Sequence, residues 1–198
     1  MAIDNFVDPL KHFDVWYKEA CESKIKEPSA MSLATVDSTG RPSVRMVLLK
    51  GFSDQGFVFY TNLNSRKGKD LQRNQNAALC FHWIPLEKQV RIEGHTVPVS
   101  DEEADNYFSS RSRDSQISAW ASIQSSPLTN RKELEKRCKD IASRFEGIKV
   151  PRPDFWSGYR LRPREIEFWT AGDNRLHERI VYTFSGDTGC WKRGIKYP

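Results

Sequence analysis

The sequence predicts an α+β fold: a mostly antiparallel β-barrel with helices inserted after Val99. Three observations carry this. Up to Val99 there are six candidate strand segments, mostly linked by short turns, as in an antiparallel barrel. Between Ser100 and Gly147 the alternation gives way to capped, charge-rich helical segments. From Gly158 the alternation returns and runs to Ile195. The whole chain, 1–198, reads as a single domain, with the helical insertion at about 100–147 and closing strands at about 158–198.

Asp8-Pro9 opens the first helix, with Asp8 as cap and Pro9 at the first helical position. Leu10, Phe13, Tyr17 and Ala20 then share a face that docks on a core. Ser29 to Val36 is a strand, turned by Asp37-Ser38-Thr39-Gly40 into the strand that carries Arg45. Along Arg45 to Lys50, residues 45, 47 and 49 point one way and 46, 48 and 50 the other. A turn at Ser53-Asp54-Gln55-Gly56 joins it to Phe57–Asn62 as a hairpin. Ser65 caps a short helix whose first turn carries Arg66 and Lys67. That end of a helix is already positive, so two cations there favour an anion placed among them and the free N–H groups. Ala77 to Ile84 is a buried strand, and Gln89 to Val99 alternates. Ser100 with Glu103 forms a capping box. A second helical piece runs from Ser115 to Ile123, and Asn130 caps a third through Phe145. Pro151-Arg152-Pro153 is a stiff connector to the last strands, Gly158–Trp169, Arg179–Phe184 and Cys190–Ile195.

At 198 residues the chain can bury a sizeable core. No stretch approaches the ~20 apolar residues of a membrane span, and Met1 to Asn5 has no signal-peptide layout, so a cytosolic, soluble protein is expected. The four scattered cysteines (Cys21, Cys80, Cys138, Cys190) read as free and mostly buried thiols, with no spacing suited to a metal. The net charge of +5 is spread in discrete clusters, which favours small anionic ligands over a nucleic-acid stripe.

Nucleotide and hydrolase motifs are absent, and what remains is polar clusters at segment ends. Tyr107, Arg111 and Ser115 are four apart and, if the helix runs on, share a face able to grip a phosphate. The same spacing fits a surface arginine beside a core tyrosine. Gln124-Ser125-Ser126 offers an amide and hydroxyls at a helix end. Asn174 to Arg179 places two arginines and a histidine beside Phe168-Trp169. Together they suggest a site for a flat, phosphate-bearing ligand.

The wording of these clusters resembles the pyridoxine (pyridoxamine) 5′-phosphate oxidase family, with its FMN-binding split-barrel fold. The resemblance rests on Arg45-Met46-Val47-Leu48-Leu49-Lys50-Gly51, Phe59-Tyr60-Thr61-Asn62 with Ser65-Arg66-Lys67, Gln89-Val90-Arg91, Tyr107 to Arg111, Arg113 to Ile117, Gln124-Ser125-Ser126, and Glu167-Phe168-Trp169 with Arg175 to Arg179. It implies a homodimer with FMN at the subunit interface. Arg45, Met46, Val47, Leu48, Leu49, Lys50, Tyr60, Thr61, Arg66, Lys67, Gln89, Gln124, Ser125, Trp169 and Arg179 would bind FMN. Lys50, Tyr107, Arg111 and Ser115 would hold the substrate phosphate, and Arg175 and His177 would frame its ring over the flavin as the catalytic pair. The implied reaction oxidises pyridoxine 5′-phosphate or pyridoxamine 5′-phosphate to pyridoxal 5′-phosphate, and dioxygen becomes hydrogen peroxide. No metal, nucleic acid or membrane is implied.

The chain departs from the family in three places. The family usually carries a longer basic N-terminal segment that can fold over the active site, whereas here only a handful of residues precede the first helix. The chain ends Ile195-Lys196-Tyr197-Pro198 where the family commonly ends Arg-Leu-Ala-Pro, and Ser112 and Ser118 replace a common Pro and Gly. Competing readings are a related phenazine-biosynthesis oxidase, a non-catalytic carrier of FMN or pyridoxal phosphate, and a basic nucleic-acid-binding barrel.

Overall fold

A computed structural model describes residues 7–198. The readings of Met1 to Asn5, and of the segment before Asp8 up to Phe6, lie outside the described residues. Among the described residues nine strands form one antiparallel sheet: β1 Ala30–Val36, β2 Pro42–Leu48, β3 Gly51–Ser53, β4 Gly56–Asn62, β5 Asn76–Trp83, β6 Lys88–Pro98, β7 Trp156–Thr170, β8 Glu178–Ser185 and β9 Cys190–Ile195. Five α-helices accompany them: α1 Pro9–Glu22, α2 Arg66–Arg73, α3 Asp101–Ser110, α4 Arg113–Ala121 and α5 Arg131–Arg144. Among the described residues no helix is long and apolar enough to cross a membrane.

The strand order is β2-β1-β5-β6-β7-β4-β3, with β8 on β7 and β9 on β8. The two ends of that path are one continuous piece of chain, because only Leu49 and Lys50 separate β2 from β3. The Leu49 N–H donates to Ser29 O (2.9 Å), beside β1, and the Lys50 N–H donates to Val58 O (2.8 Å), on β4. The strand thus changes partner in a single step and closes the barrel. The expected hairpin between Arg45–Lys50 and Phe57–Asn62 is corrected here: β2 pairs with β1, and the short β3 makes the hairpin with β4. The alternation of β2 is as expected, with 43, 45 and 47 half-buried and 44, 46 and 48 exposed.

Strand β7 serves two partners. Trp156–Leu161 pairs with β4 and Glu165–Thr170 pairs with β8, while β6 runs along the other edge of both halves. Between the halves lies Pro163, which has no N–H to donate, and there β6 shifts register at Glu93/Gly94. Gly94 makes this bulge fit, since a Cβ on it would lie 2.0 Å from Arg162 O.

The barrel interior is aromatic and aliphatic, and α1 plugs it. Phe13 sits edge-on to Phe57 (4.9 Å) and packs against Phe81 (5.2 Å). Asp8 caps α1 as expected, accepting from Leu10 N–H. The buried stripe, however, is His12, Phe13, Trp16 and Ala20, with Leu10 and Tyr17 only partly buried at its edge. The helix is wedged against β7 and β8 as well as the barrel, and His12 stacks on Phe168 at 3.7 Å. A second, smaller core of Phe108, Ile117, Phe145, Val150 and Trp156 seats the helical insertion on the start of β7. The cysteines are free but not buried: Cys21 and Cys190 are exposed, Cys80 and Cys138 half-buried.

Gly94→Ala should lower the urea midpoint, by a loss at the upper end of the ~1–3 kcal/mol typical of overpacking, because the neighbour it meets is backbone. An unchanged midpoint would show that the β6–β7 approach is not tight.

Candidate active site

The first turn of α2 is a concentrated positive end. Ser65 caps it, accepting from Gly68 N–H (3.3 Å) and donating to Asn62 O (2.6 Å). Its first turn contains no acidic residue. The loop after α4 folds over it: the Lys67 ammonium donates to Gln124 Oε1 (2.8 Å) and the Arg66 N–H to Ser125 Oγ (3.3 Å), with Ser125 in the left-handed region at φ 71°. Burial, and then nearby Arg45, pulls the Lys67 ammonium below the usual lysine range. A cavity of about 330 Å³ opens here, lined by Arg66, Lys69, Arg73 and Ser125 among others.

Arg45 is spent differently. Its guanidinium donates to Thr35 Oγ1 (2.7 Å), Ser43 Oγ (2.7 Å) and the carbonyls of Leu33 and Ser43 (3.1 Å each). Thr35 donates in turn to Asp70 of α2 (2.8 Å), whose carboxylate lies 3.8 Å from Arg45. Arg45 therefore anchors α2 to the β1–β2 pair from beneath.

A neighbouring cavity of about 440 Å³ gathers most of the expected contacts: Met46, Val47, Leu48 and Lys50, Tyr60 and Thr61, Lys67, Tyr107, Arg111 and Gln124. Leu49 does not line it, being buried in the barrel core at 4% exposure. Ser115 does not line it either, and its hydroxyl accepts from Ser112 Oγ (2.8 Å). The condition that one helix run on beneath Tyr107, Arg111 and Ser115 is not met, and the second helical piece expected from Ser115 begins two residues earlier, at Arg113. Helix α3 ends at Ser110, Arg111 is an extended C-cap, and Ser112 starts α4 by capping Ser115 N–H. Two helices with separate caps replace one, which frees Arg111 to turn into the cavity.

Sequence reasoning missed Trp156, which also lines this cavity. Tyr107 and Tyr60 stack at 4.0 Å, Tyr60 and Trp156 at 5.3 Å, all nearly parallel, and the Arg111 guanidinium lies 4.8 Å from the Trp156 ring centre. Arg111 Nη1 is buried with no hydrogen-bond partner among the described residues, and burial pulls the group's pKa down. An orphaned buried donor on a cation is costly unless an anion meets it.

The remaining expected residues form a second group. Gln89, Trp169 and Arg179 lie in one cross-strand row over β6, β7 and β8. His177 packs on Trp169 at 4.6 Å, and its Nδ1 accepts from Gly172 N–H (3.2 Å), which leaves the proton on Nε2. Arg175 is exposed, in the left-handed region at φ 65°. Arg179 pairs with buried Glu167 (2.7 Å) and donates to Tyr197 O (3.0 Å), so the divergent tail does touch this group. Neither cavity near α2 is lined by any of these residues. Trp156 and Trp169 are separated by about 40 Å of strand, at ~3.3 Å per residue.

Comparison with known proteins bears on the family and the fold. A family model described as pyridoxamine 5′-phosphate oxidase matches residues 17–145. The chain belongs to the pyridoxamine 5′-phosphate oxidase family. A second model, the pyridoxine 5′-phosphate oxidase C-terminal dimerisation region, matches residues 156–198. Proteins named pyridoxine/pyridoxamine 5′-phosphate oxidase from Rubrobacter xylanophilus and Burkholderia mallei are 51% and 53% identical, covering 94% and 92% of this chain and 85% of theirs. Among solved structures, PhzG from Burkholderia lata 383, in complex with tetrahydrophenazine-1-carboxylic acid, superposes with a TM-score of 0.92 at 33% identity, covering 98% of this chain and 95% of its own. A pyridoxamine 5′-phosphate oxidase-related, FMN binding protein from Nostoc punctiforme shares the fold at a TM-score of 0.78 and 16% identity. The fold is the FMN-binding split barrel of this family.

Burial, then Glu103 and Tyr107, pushes the Tyr60 phenol up to about 12 from 10.0. A folded pKa above the unfolded one contributes stability that is full below pH 10 and is lost as pH climbs towards about 12. In an alkaline titration followed by phenolate absorbance, Tyr60→Phe should remove a late-ionising phenol and spare the rise near pH 10. Loss of amplitude near pH 10 would contradict the burial of this ring.

Proposed function

We propose that this protein is an FMN-dependent oxidase that converts pyridoxine 5′-phosphate and pyridoxamine 5′-phosphate to pyridoxal 5′-phosphate, with dioxygen reduced to hydrogen peroxide. The observation that carries the reading is the half-buried Arg111 side chain, whose buried Nη1 has no hydrogen-bond partner among the described residues, beside Tyr107 and Lys50 in the cavity next to α2. Two anions are needed to satisfy two separate clusters of donors. FMN with a phosphorylated substrate supplies two.

The residues fit FMN. The free N–H groups of α2, with Arg66, Lys67 and Ser125, suit its phosphate. Met46 to Lys50 and Tyr60-Thr61 give a wall of mixed polarity for a flat ring. When bound, FMN accepts the hydride and passes the electrons to dioxygen. Lys50, Tyr107 and Arg111 hold the substrate phosphate, with Ser115 stationed behind them through Ser112. Arg175 and His177 frame the substrate ring, and the Nε2–H of His177 is the donor it presents. Their share is orientation: a ring fixed at one end by its phosphate and at the other by this pair is held for hydride transfer.

The reading requires two copies. Arg175, His177, Gln89, Trp169 and Arg179 sit far along β7 from the cavity, so in a homodimer they complete the partner's site. The matched dimerisation region supports this, as does the outward face of β2, where Val44 and Met46 are 68% and 61% exposed. Four free cysteines suit a reducing compartment such as the cytoplasm. A second reading is an oxidase acting on a carboxylated ring system, favoured by the likeness to PhzG, since Arg111 can also pair with a carboxylate. Lys50 and Tyr107 add donors that a phosphate uses more fully.

Mixed anaerobically with FMN and pyridoxamine 5′-phosphate, the protein should bleach the flavin, which recovers on admitting air as pyridoxal 5′-phosphate appears. A flavin that binds and never bleaches points to a carrier or to the carboxylated substrate. Arg66→Ala should weaken FMN retention by the ~1.5–3 kcal/mol of a hydrogen bond to a charged group, and equal flavin content would contradict the assigned phosphate site. Mixing inactive Arg111→Ala and His177→Ala chains should restore activity through heterodimers. No recovery after proven subunit exchange would place both groups in one subunit's site.

A further inference from the structure

We propose that Trp156 is the positioning residue that holds the Arg111 guanidinium in its phosphate-gripping pose, and so sets the preference for phosphorylated substrates. The proposal rests on the reading that Arg111 binds the substrate phosphate. Arg111 follows the last turn of α3 and has no ion-pair partner among the described residues. What it touches is aromatic: Trp156, at 4.8 Å from ring centre to guanidinium carbon, and Phe108 at 5.7 Å. An arginine held by a carboxylate would have its charge answered before any ligand arrived. One held on an indole face is fixed in direction while its N–H edge stays available.

Trp156 is itself fixed from three sides. It is buried at 7% exposure, and its ring lies within 6° of parallel to Tyr60 and 8° of Tyr107. Its carbonyl accepts from Arg152 Nη1 (3.0 Å), and Arg152 is bound through its other nitrogens to Asp101 and Asp105 of α3. The clamp joins the start of β7 to the helix that presents Arg111, so ring and guanidinium are referred to the same frame. The acids pair with Arg152, away from Arg111, and the cavity keeps its positive sign.

The test compares wild type with Trp156→Phe, Trp156→Leu, Arg111→Ala and the Arg111→Ala/Trp156→Leu double variant. Each is FMN-loaded and assayed on pyridoxamine 5′-phosphate and on unphosphorylated pyridoxamine, and inorganic phosphate serves as a competing anion. The ratio of kcat/KM for the phosphorylated over the unphosphorylated amine should fall about tenfold in Trp156→Leu, the order expected when a desolvated cation–π contact is lost. The fall should lie mainly in KM, with weaker inhibition by inorganic phosphate. Trp156→Phe should recover part of it. In the Arg111→Ala background Trp156→Leu should cost nothing further in that ratio, because the ring acts through the arginine. A ratio that falls in Arg111→Ala and not in Trp156→Leu or Trp156→Phe overturns the proposal and leaves the phosphate reading standing. Equal losses on both amines in Trp156→Leu, with no recovery in Trp156→Phe, also overturn it, since a general packing role moves both. An unchanged ratio in Arg111→Ala removes the underlying reading itself and the proposal with it.

Discussion

Two backbone hydrogen bonds, Leu49 N–H to Ser29 O and Lys50 N–H to Val58 O, determine where everything else goes. They bend one strand from β1 to β4 and join the two ends of the sheet. A sheet closed this way has few free edges to protect. It also leaves β2 with one face turned outward, and brings Lys50 to the rim where α2 begins. The cavity wall from Met46 to Lys50 is the closure point itself, so the site is built where the barrel is sealed.

Around that point the protein handles positive charge in two ways. Arg45 is matched inside the fold by Asp70 and Thr35, and its work is to hold α2 in place. Among the described residues Lys67 and Arg111 have no carboxylate partner, and both are partly desolvated. Burial pulls both pKa values down. Desolvating a cation without an anion costs stability, and a site that accepts this cost in the free protein regains it on binding an anionic ligand. The difference between the three cations lies in which neighbours tertiary packing brings, not in residue type.

That distinction also marks what could be read from the sequence. The barrel, all five helices and the caps at Asp8, Ser65, Ser100 and Asn130 were legible because they depend on near-neighbour patterns. So was the anion-seeking start of α2, which needs only Ser65, Arg66 and Lys67. The turn from β1 into β2 was legible too, but the switch at Leu49-Lys50 to a separate β3 was not, since only closure of the sheet decides where the strand changes partner. The exact start of α4 was less sharp, because Ser112 is both a possible helix residue and a cap. Trp156 gave no local signal beyond an aromatic after Pro151-Arg152-Pro153, and its relation to Arg111 is formed across 45 residues of chain. Composition alone put the cysteines inside, whereas the faces they occupy in the fold leave them half-buried or exposed.

Strand β7 carries Trp156 at one end and Trp169 at the other, and in the proposed dimer these ends belong to different sites. The strand is then a ruler. Adding or removing one residue between them would turn one tryptophan to the opposite face and move it along the sheet, unless a compensating bulge formed. Gly94 and Pro163 already occupy the place where such a bulge fits. Insertions and deletions among natural variants should therefore avoid β7 and collect where spacing carries no information. Helix α5 is such a place, for none of its side chains from Arg131 to Arg144 is fully buried.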